Sequence, residues 1–451
     1  MRGCETKALS KEAPVSLVPS FLDWLQPLSY VMTTPTFNSL LTVLGGWVFA
    51  RRHTVTGMIL AADAVGTKHH SAYHRLFAAA RWSLDELGLA VFGLTLPLLG
   101  DHLILLGVDD TLARKRGLKV FGVGMHHDPL LSTRKTTITN WGHCWVVLGV
   151  ILKLPFCGER WFCLPVLFRL YVPNKTAEKK GLAYHTKPQL AVQMLQLLCG
   201  RFENRGFHAI GDSTYGGKSV LLHLPRNCGL TSRLAMDARL YDEPPARGKS
   251  RKGGRPRKRG ARRPTPKQML GGRCRHLTLD IYGRKDKSRV AECVARVYAA
   301  PDREMKIVAV EPLVGGRRSQ AFFSTCANDT AESVLTRYAA RWSLEVTNHD
   351  AKGQLGFEEP QGWTKRAVQR TAPMGMLLYS LVVLWFSGEG HRHLQVPNRP
   401  WYINKTHASF ADMLATLRCE SAKHDVLSMG LHGRGSRNIV KTLLHAVRQA
   451  A

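Results

Sequence analysis

Apolar and polar positions change their rhythm twice along this chain. Between residues 21 and 99 apolar side chains recur at helical spacing. In 70–92, HSAYHRLFAAARWSLDELGLAVF, they are interspersed with His70, His74, Arg75 and Arg81. From residue 102 the rhythm shortens. The run 102–108, HLILLGV, is apolar and ends in Asp109-Asp110-Thr111, the pattern of a buried strand that delivers acids at its C-terminal end. Residues 117–124 read as an irregular turn and strand. Strands are predicted over 143–152 and 161–171, paired as a hairpin about the turn at 155–160. A helix follows over 186–204, capped by Thr186 with Pro188 in its first turn. Strand 207–211 delivers another acid, Asp212. Tyr215-Gly216-Gly217 turns the chain into a helix at 218–224, and 229–234 is a further strand.

About a hundred residues then interrupt the pattern. Short strands are predicted at 276–281, 289–299 and 306–311, closing at Phe322-Phe323. The interruption reads as a small β-rich module on a basic tether. Beyond it, 331–352 is polar but predicts one helix. Asn328, Asp329 and Thr330 are N-cap types, Glu332 adds charge in the first turn, and Gly353 stops it. A long apolar helix over 364–387 should pack on the core, and 390–451 is basic and mostly helical. The order of strands and helices favours an α/β fold, a mixed sheet with helices on its faces. The expected organisation is a helical N-terminal region (1–100, opening with a loose arm over 1–12), a catalytic core in two parts (101–237 and 327–390), a basic loop and β-rich insertion (238–326), and a basic helical C-terminal region (391–451).

Composition adds a partner. The chain has 451 residues, enough for two or three domains, and 44% of them are apolar, so it is globular. Lys and Arg number 64 against 33 acids, a net charge of +31. Such a balance favours a polyanion, nucleic acid ahead of an acidic membrane surface. The helical N-terminal region then fits either a small DNA-binding domain or a cap on the next domain. Basic residues are densest over 247–267, where eleven of twenty-one are Lys or Arg and none is acidic. Such a segment is unfolded alone. Within it Arg255, Arg257, Lys258 and Arg259 are candidate DNA contacts, and Gly254-Arg255-Pro256-Arg257 resembles an AT-hook core; a solvated basic linker is the alternative. The ten cysteines contain no CxxC pair and are read as reduced thiols. The apolar stretches at 87–108, 144–172 and 372–388 are read as buried core, not membrane spans.

Candidate chemistry comes from the polar helix. At about 100° per residue, Tyr338, Arg341, Glu345 and Lys352 fall on one narrow stripe. Cations gathered around one carboxylate suit a substrate with regularly spaced negative charge. Asp109 and Asp212 end buried strands, and together with Glu345 they make a set of oxygen ligands for Mg²⁺ or Mn²⁺. Two such ions can drive phosphodiester displacement. His126, His127 and His349 are weaker ligand candidates, and Trp342 is read as packed in preference to stacking on a base.

The spacing Tyr338-x2-Arg341-x3-Glu345-x6-Lys352 matches the Y-R-E-K signature of a large group of bacterial insertion-sequence transposases. Asp109-Asp110-Thr111 resembles their first-acid motif, Asp-x-Thr, and GDSTYGG at 211–217 resembles their second. The resemblance covers roughly residues 100–355. It implies a ribonuclease-H-like core with a β-rich insertion between the second Asp and the Glu. It implies that Asp109, Asp212 and Glu345 bind two Mg²⁺ ions, and that Tyr338, Arg341 and Lys352 contact DNA phosphates near the cut. Asp109 is favoured over Asp110 because Thr111 then stands at the family's spacing. The implied activity is that of a DDE transposase: metal-dependent cleavage at terminal inverted repeats, then strand transfer into target DNA. A homodimer would act, in the bacterial cytoplasm on nucleoid DNA. The rivals are a non-catalytic DNA-binding descendant and a nuclease that cuts without joining.

Overall fold

A computed structural model describes residues 17–133, 135–245, 258–281, 284–314, 318–394, 405 and 407–428. The AT-hook-like segment with Arg255 and Arg257, and the arm at 1–12, lie outside them. Five helices come first: α1 Pro19–Leu25, α2 Thr34–Phe49, α3 Val55–Ala61, α4 His70–Ala78 and α5 Leu84–Leu99. Strands β1 Ile104–Arg114, β2 Gly124–His127, β3 Thr139–Lys153 and β4 Trp161–Tyr171 follow. Next are α6 Asn174–Lys179, α7 Lys187–Arg201, β5 Phe207–Gly211, α8 Lys218–Leu221 and β6 Cys228–Leu234. The interruption holds β7 Leu240–Tyr241, β8 Arg262–Arg263, α9 Pro266–Leu270, β9 Arg275–Ile281, β10 Arg284–Val297, β11 Ala300–Pro312 and β12 Gln320–Ser324. The helices α10 Ala331–Ala340, α11 Trp342–Leu355, α12 Lys365–Gly388 and α13 Phe410–Ser428 follow, and short 3-10 helices span Gln26–Val31 and Gly390–His393.

The chain divides into two compact units. The first comprises Met1–Thr95, Gly117–Phe121 and His349–Ala451. Its described elements are helices, and α12 packs in it with α1, α4 and α13. The expected apolar helix is therefore a core element here, with 94% of its apolar window buried. Trp47, Tyr73, Phe77, Tyr379 and Trp385 are fully buried in this unit. The indole N–H groups of the two tryptophans find partners, as they must in an apolar interior. Trp47 Nε1 donates to Leu355 O at 2.9 Å and Trp385 Nε1 to Ser20 Oγ at 3.1 Å. Gly356, at φ +58°, ends α11 in the left-handed region and sits against the His53 ring, where a Cβ would be 2.4 Å from Nδ1.

The second unit comprises Leu96–Arg116 and Gly122–Asn348. Among the described residues its twelve strands form one sheet. At its centre the order is β4-β3-β1-β5-β6. β1, β3 and β4 are antiparallel neighbours, and β5 and β6 run parallel to β1. This is the ribonuclease-H-like arrangement. The apolar runs explain it: β3 is buried from His143 to Leu152 and β5 along its whole length, as strands covered on two faces must be.

Two expectations change. The interruption is not a separate module on a tether. β12 pairs antiparallel with β6, so β12-β11-β10-β7-β8 extend the core sheet itself. Hydrogen bonds from a new strand satisfy the open edge of β6, which a detached module would leave exposed. The polar helix is also not continuous: it breaks at Arg341 between α10 and α11. There the amide of Leu344 bonds to the carbonyl of Arg341, three residues back, and Ser343 Oγ donates to Ala340 O at 2.7 Å. A serine bonding back to the preceding turn competes with the helical ladder.

Candidate active site

Parallel pairing of β1 with β5 sets the register. Val108 lies opposite Gly211, so the next residues, Asp109 and Asp212, stand abreast. Asp109 and Asp110 are consecutive on β1 and therefore point to opposite faces of the sheet. On one face Asp109 Oδ2 accepts from Arg341 Nη1 at 2.7 Å, and Arg341 Nη2 donates to Glu345 Oε1 at 2.6 Å. On the other face Asp110 accepts from Lys187 Nζ at 2.6 Å, Tyr215 Oη at 3.0 Å and Cys144 Sγ at 3.3 Å. The first helical residue after the Thr186 capping box supplies that lysine. Sequence reasoning missed Lys187, because only the fold carries its amine to β1.

The helix carrying Glu345 is held against the sheet by Thr347, whose hydroxyl donates to Cys163 O of β4 at 2.8 Å, and by fully buried Leu344. Asp212 accepts from the Thr214 amide at 2.9 Å through Oδ1, and its backbone carbonyl accepts from Ser232 Oγ at 2.6 Å. That turn fixes the carboxylate beyond the strand end. The Tyr338 ring packs 4.5 Å from Phe322 and beside Val308 and Val334, with the Arg341 guanidinium 5.6 Å from its centroid.

The electrostatics follow from burial. Burial raises the Asp109 carboxyl, against the pull of Arg341, to about 7; the charges of Asp110 and Asp212 act in the same direction as burial. Burial opposes the charge of Arg341, but Asp109, Tyr338 and Glu345 carry its pKa above the ordinary value. Burial likewise opposes the Lys187 amine, and Cys144 and Asp110 raise it regardless. Tyr338 is raised by burial.

Of the residues on the predicted stripe, Tyr338, Arg341 and Glu345 come together with Asp109 and Asp212. Lys352 lies on α11 beyond the boundary between the two units, with Nζ 3.8 Å from Glu358. His349 is exposed and lies near Asp350. Trp342, expected to be packed, is 50% exposed. His126 is buried and its pKa is lowered by burial to about 4, while His127 is exposed. Lys258 is exposed; the Arg259 guanidinium stacks 3.6 Å from the Tyr298 ring centroid.

Oxygen donors of this type fit a hard divalent cation. The raised Asp109 carboxyl fits as well, since an added cation would favour its ionised form. Among the described residues the three acids do not close into one tight ligand shell. Arg341 stands between Asp109 and Glu345, bonded to both.

A sequence model of the family described as DDE superfamily endonuclease matches residues 34–278, over half of the 451. The matched stretch holds Asp109 and Asp212 and ends before Glu345. A probable transposase for insertion sequence element IS701, from Microchaete diplosiphon, is 27% identical over 165 residues, 36% of this chain. The alignment spans 39% of that relative's length.

Proposed function

Starting from the fact that this chain belongs to the DDE superfamily endonucleases, we propose that it is a DDE transposase that cleaves transposon ends and transfers the cut strand into target DNA. One observation carries this reading. Arg341 joins Asp109 of β1 to Glu345 of α11, and β-sheet register sets Asp212 beside Asp109. Three carboxylates from distant parts of the sequence thus share one face of the sheet.

In this reading Asp109, Asp212 and Glu345 hold divalent ions, Mg²⁺ or Mn²⁺. Such ions, when bound, lower the pKa of the attacking water or 3′-hydroxyl and stabilise the leaving oxygen. Arg341 neutralises the acids until substrate arrives. A guanidinium fork suits phosphate as well as carboxylate, so Arg341 can exchange Asp109 and Glu345 for a DNA phosphate. Tyr338 and Lys352 are the further phosphate contacts. Asp110 acts on structure: tied to Lys187 and Tyr215, it fixes the strand from which Asp109 projects. The substrates are terminal inverted repeats and target DNA, and the active form is a homodimer.

Cleavage and gel-shift assays on one preparation test the reading. Glu345→Ala should lose Mg²⁺-dependent cutting and keep end binding, because the carboxylate holds metal and touches no phosphate. Asp109→Asn should do the same. Full cutting by Glu345→Ala removes that residue from the site. Cleavage without joined product, in an assay supplied with target DNA, would select the nuclease reading.

A further inference from the structure

The strand that delivers Asp212 also carries a histidine with a different neighbourhood. His208 on β5 is fully buried, and its Nε2 lies 2.7 Å from Thr231 Oγ1 on β6. Its Nδ1 is 3.9 Å from Sγ of Cys326, just past β12. Asp329, three residues on, adds a carboxylate oxygen, and the three ligand atoms all lie within 4.8 Å of one another. In a tetrahedral zinc site, with nitrogen at about 2.1 Å and sulfur at about 2.3 Å from the ion, N and S stand about 3.6 Å apart. The observed 3.9 Å is close to that edge.

Gly229 keeps the space open. A Cβ there would lie 2.5 Å from His208 Nδ1 and 3.1 Å from Cys326 Sγ. Thr231 fixes the imidazole: with Nε2–H donated to its hydroxyl, Nδ1 turns its lone pair to the thiol, as the outer partner of a metal-bound histidine does. Asp329 is oriented through Oδ2, which accepts from Ser324 Oγ at 2.5 Å and Arg337 Nη1 at 2.7 Å. Burial lowers the His208 pKa to about 4, so the ring is neutral at neutral pH. The Arg337 cation opposes a second cation. One thiolate and one carboxylate supply two negative charges against it.

We propose that His208 Nδ1, Cys326 Sγ and Asp329 bind one Zn²⁺ ion, with water in the fourth position, separate from the acids of the active site. Binding releases the thiol proton to solvent and forms the Zn–S bond. The ion ties β5, which leads to Asp212, to the turn between β12 and α10, which leads to Arg341. It would act as a structural clasp on the geometry of the site.

Co²⁺ is the probe, because a thiolate ligand gives it a charge-transfer absorption that carboxylates do not. The full-length chain should bind one equivalent of Co²⁺ with that absorption, and Cys326→Ser should lose it. No thiolate band in the unaltered chain, or the same band in Cys326→Ser, overturns the proposal. A second measurement needs no variant. Zn²⁺ should slow alkylation of Cys326 by iodoacetamide in the native chain, read by peptide mass spectrometry, and an unchanged rate also overturns it.

Discussion

Asp109 and Asp110 are neighbours with opposite surroundings. Asp110 has three donors. Asp109 has one charged partner, Arg341, and burial outweighs it, so its carboxyl titrates at about 7 in place of the ordinary 3.8. The folded chain therefore holds a proton at Asp109 that the unfolded chain has already released across that window. Stability contributed by this proton is fully present below about 4 and is lost as pH rises through about 7. Asp109→Asn removes the titrating group. In chelator, its melting temperature should fall less than the parent's between about pH 5 and about pH 8. At the upper end the variant should be the more stable. Circular dichroism melts across this range decide it, and parallel curves for the two proteins would mean that Asp109 does not titrate there. Added Mg²⁺ should raise the parent's melting temperature above neutral pH and leave the variant's nearly unchanged, since binding to the native state alone stabilises it.

Among the elements, the strands were the most legible part of the sequence. β3, β4 and β5 are apolar runs bounded by turn residues, and burial on two faces leaves no other use for them. β1 was legible only in its first half: it was expected to end at the acids, but its pairing with β3 carries it through both of them to Arg114. The Thr186 cap of α7 was legible for the same local reason. Its hydroxyl accepts from the Gln189 amide, and Gln189 closes the capping box. Thr186→Ala should cost about 1 kcal/mol of stability. Because Lys187 follows directly, it should also loosen the hold on Asp110. Urea unfolding checks the first effect; the second should appear as a modest fall in cleavage rate, and an unchanged rate would make α7 a purely structural support. What the sequence hid depends on contacts between distant segments. A serine three residues beyond a carbonyl does not announce that it will break a helix at Arg341. The open edge of β6, which draws β12 into the core sheet, exists only after β6 has formed. Lys187 reaches Asp110 across 77 residues of chain, and no local pattern records that.

For the whole molecule the dominant fact is the net charge of +31, with its densest basic run at 247–267. If that run lies along DNA, each phosphate it neutralises releases condensed counterion. The slope of log affinity against log salt is then about −0.9 per contact. Replacing Arg255, Arg257, Lys258 and Arg259 with Gln should flatten the slope by roughly two to four. Affinity should fall about equally for transposon ends and random DNA, since phosphate contacts position without specifying sequence. Should Arg255 enter an A·T-rich minor groove, the loss will be larger on A·T-rich ends. The four are not equivalent. Lys258 is exposed, whereas Arg259 stacks on Tyr298 at 3.6 Å, so part of its value is packing within the protein. Arg259→Gln alone should therefore lower the melting temperature more than Lys258→Gln, while Lys258→Gln should move the salt slope at least as much. The variant leaves Asp109, Asp212 and Glu345 unaltered, so complexes that still form should cleave at the parent's rate. End binding measured across a salt series, for the parent and the four-fold variant, separates these cases. An unchanged slope would leave the basic run a solvated linker, and the DNA contacts would have to be sought elsewhere on the chain.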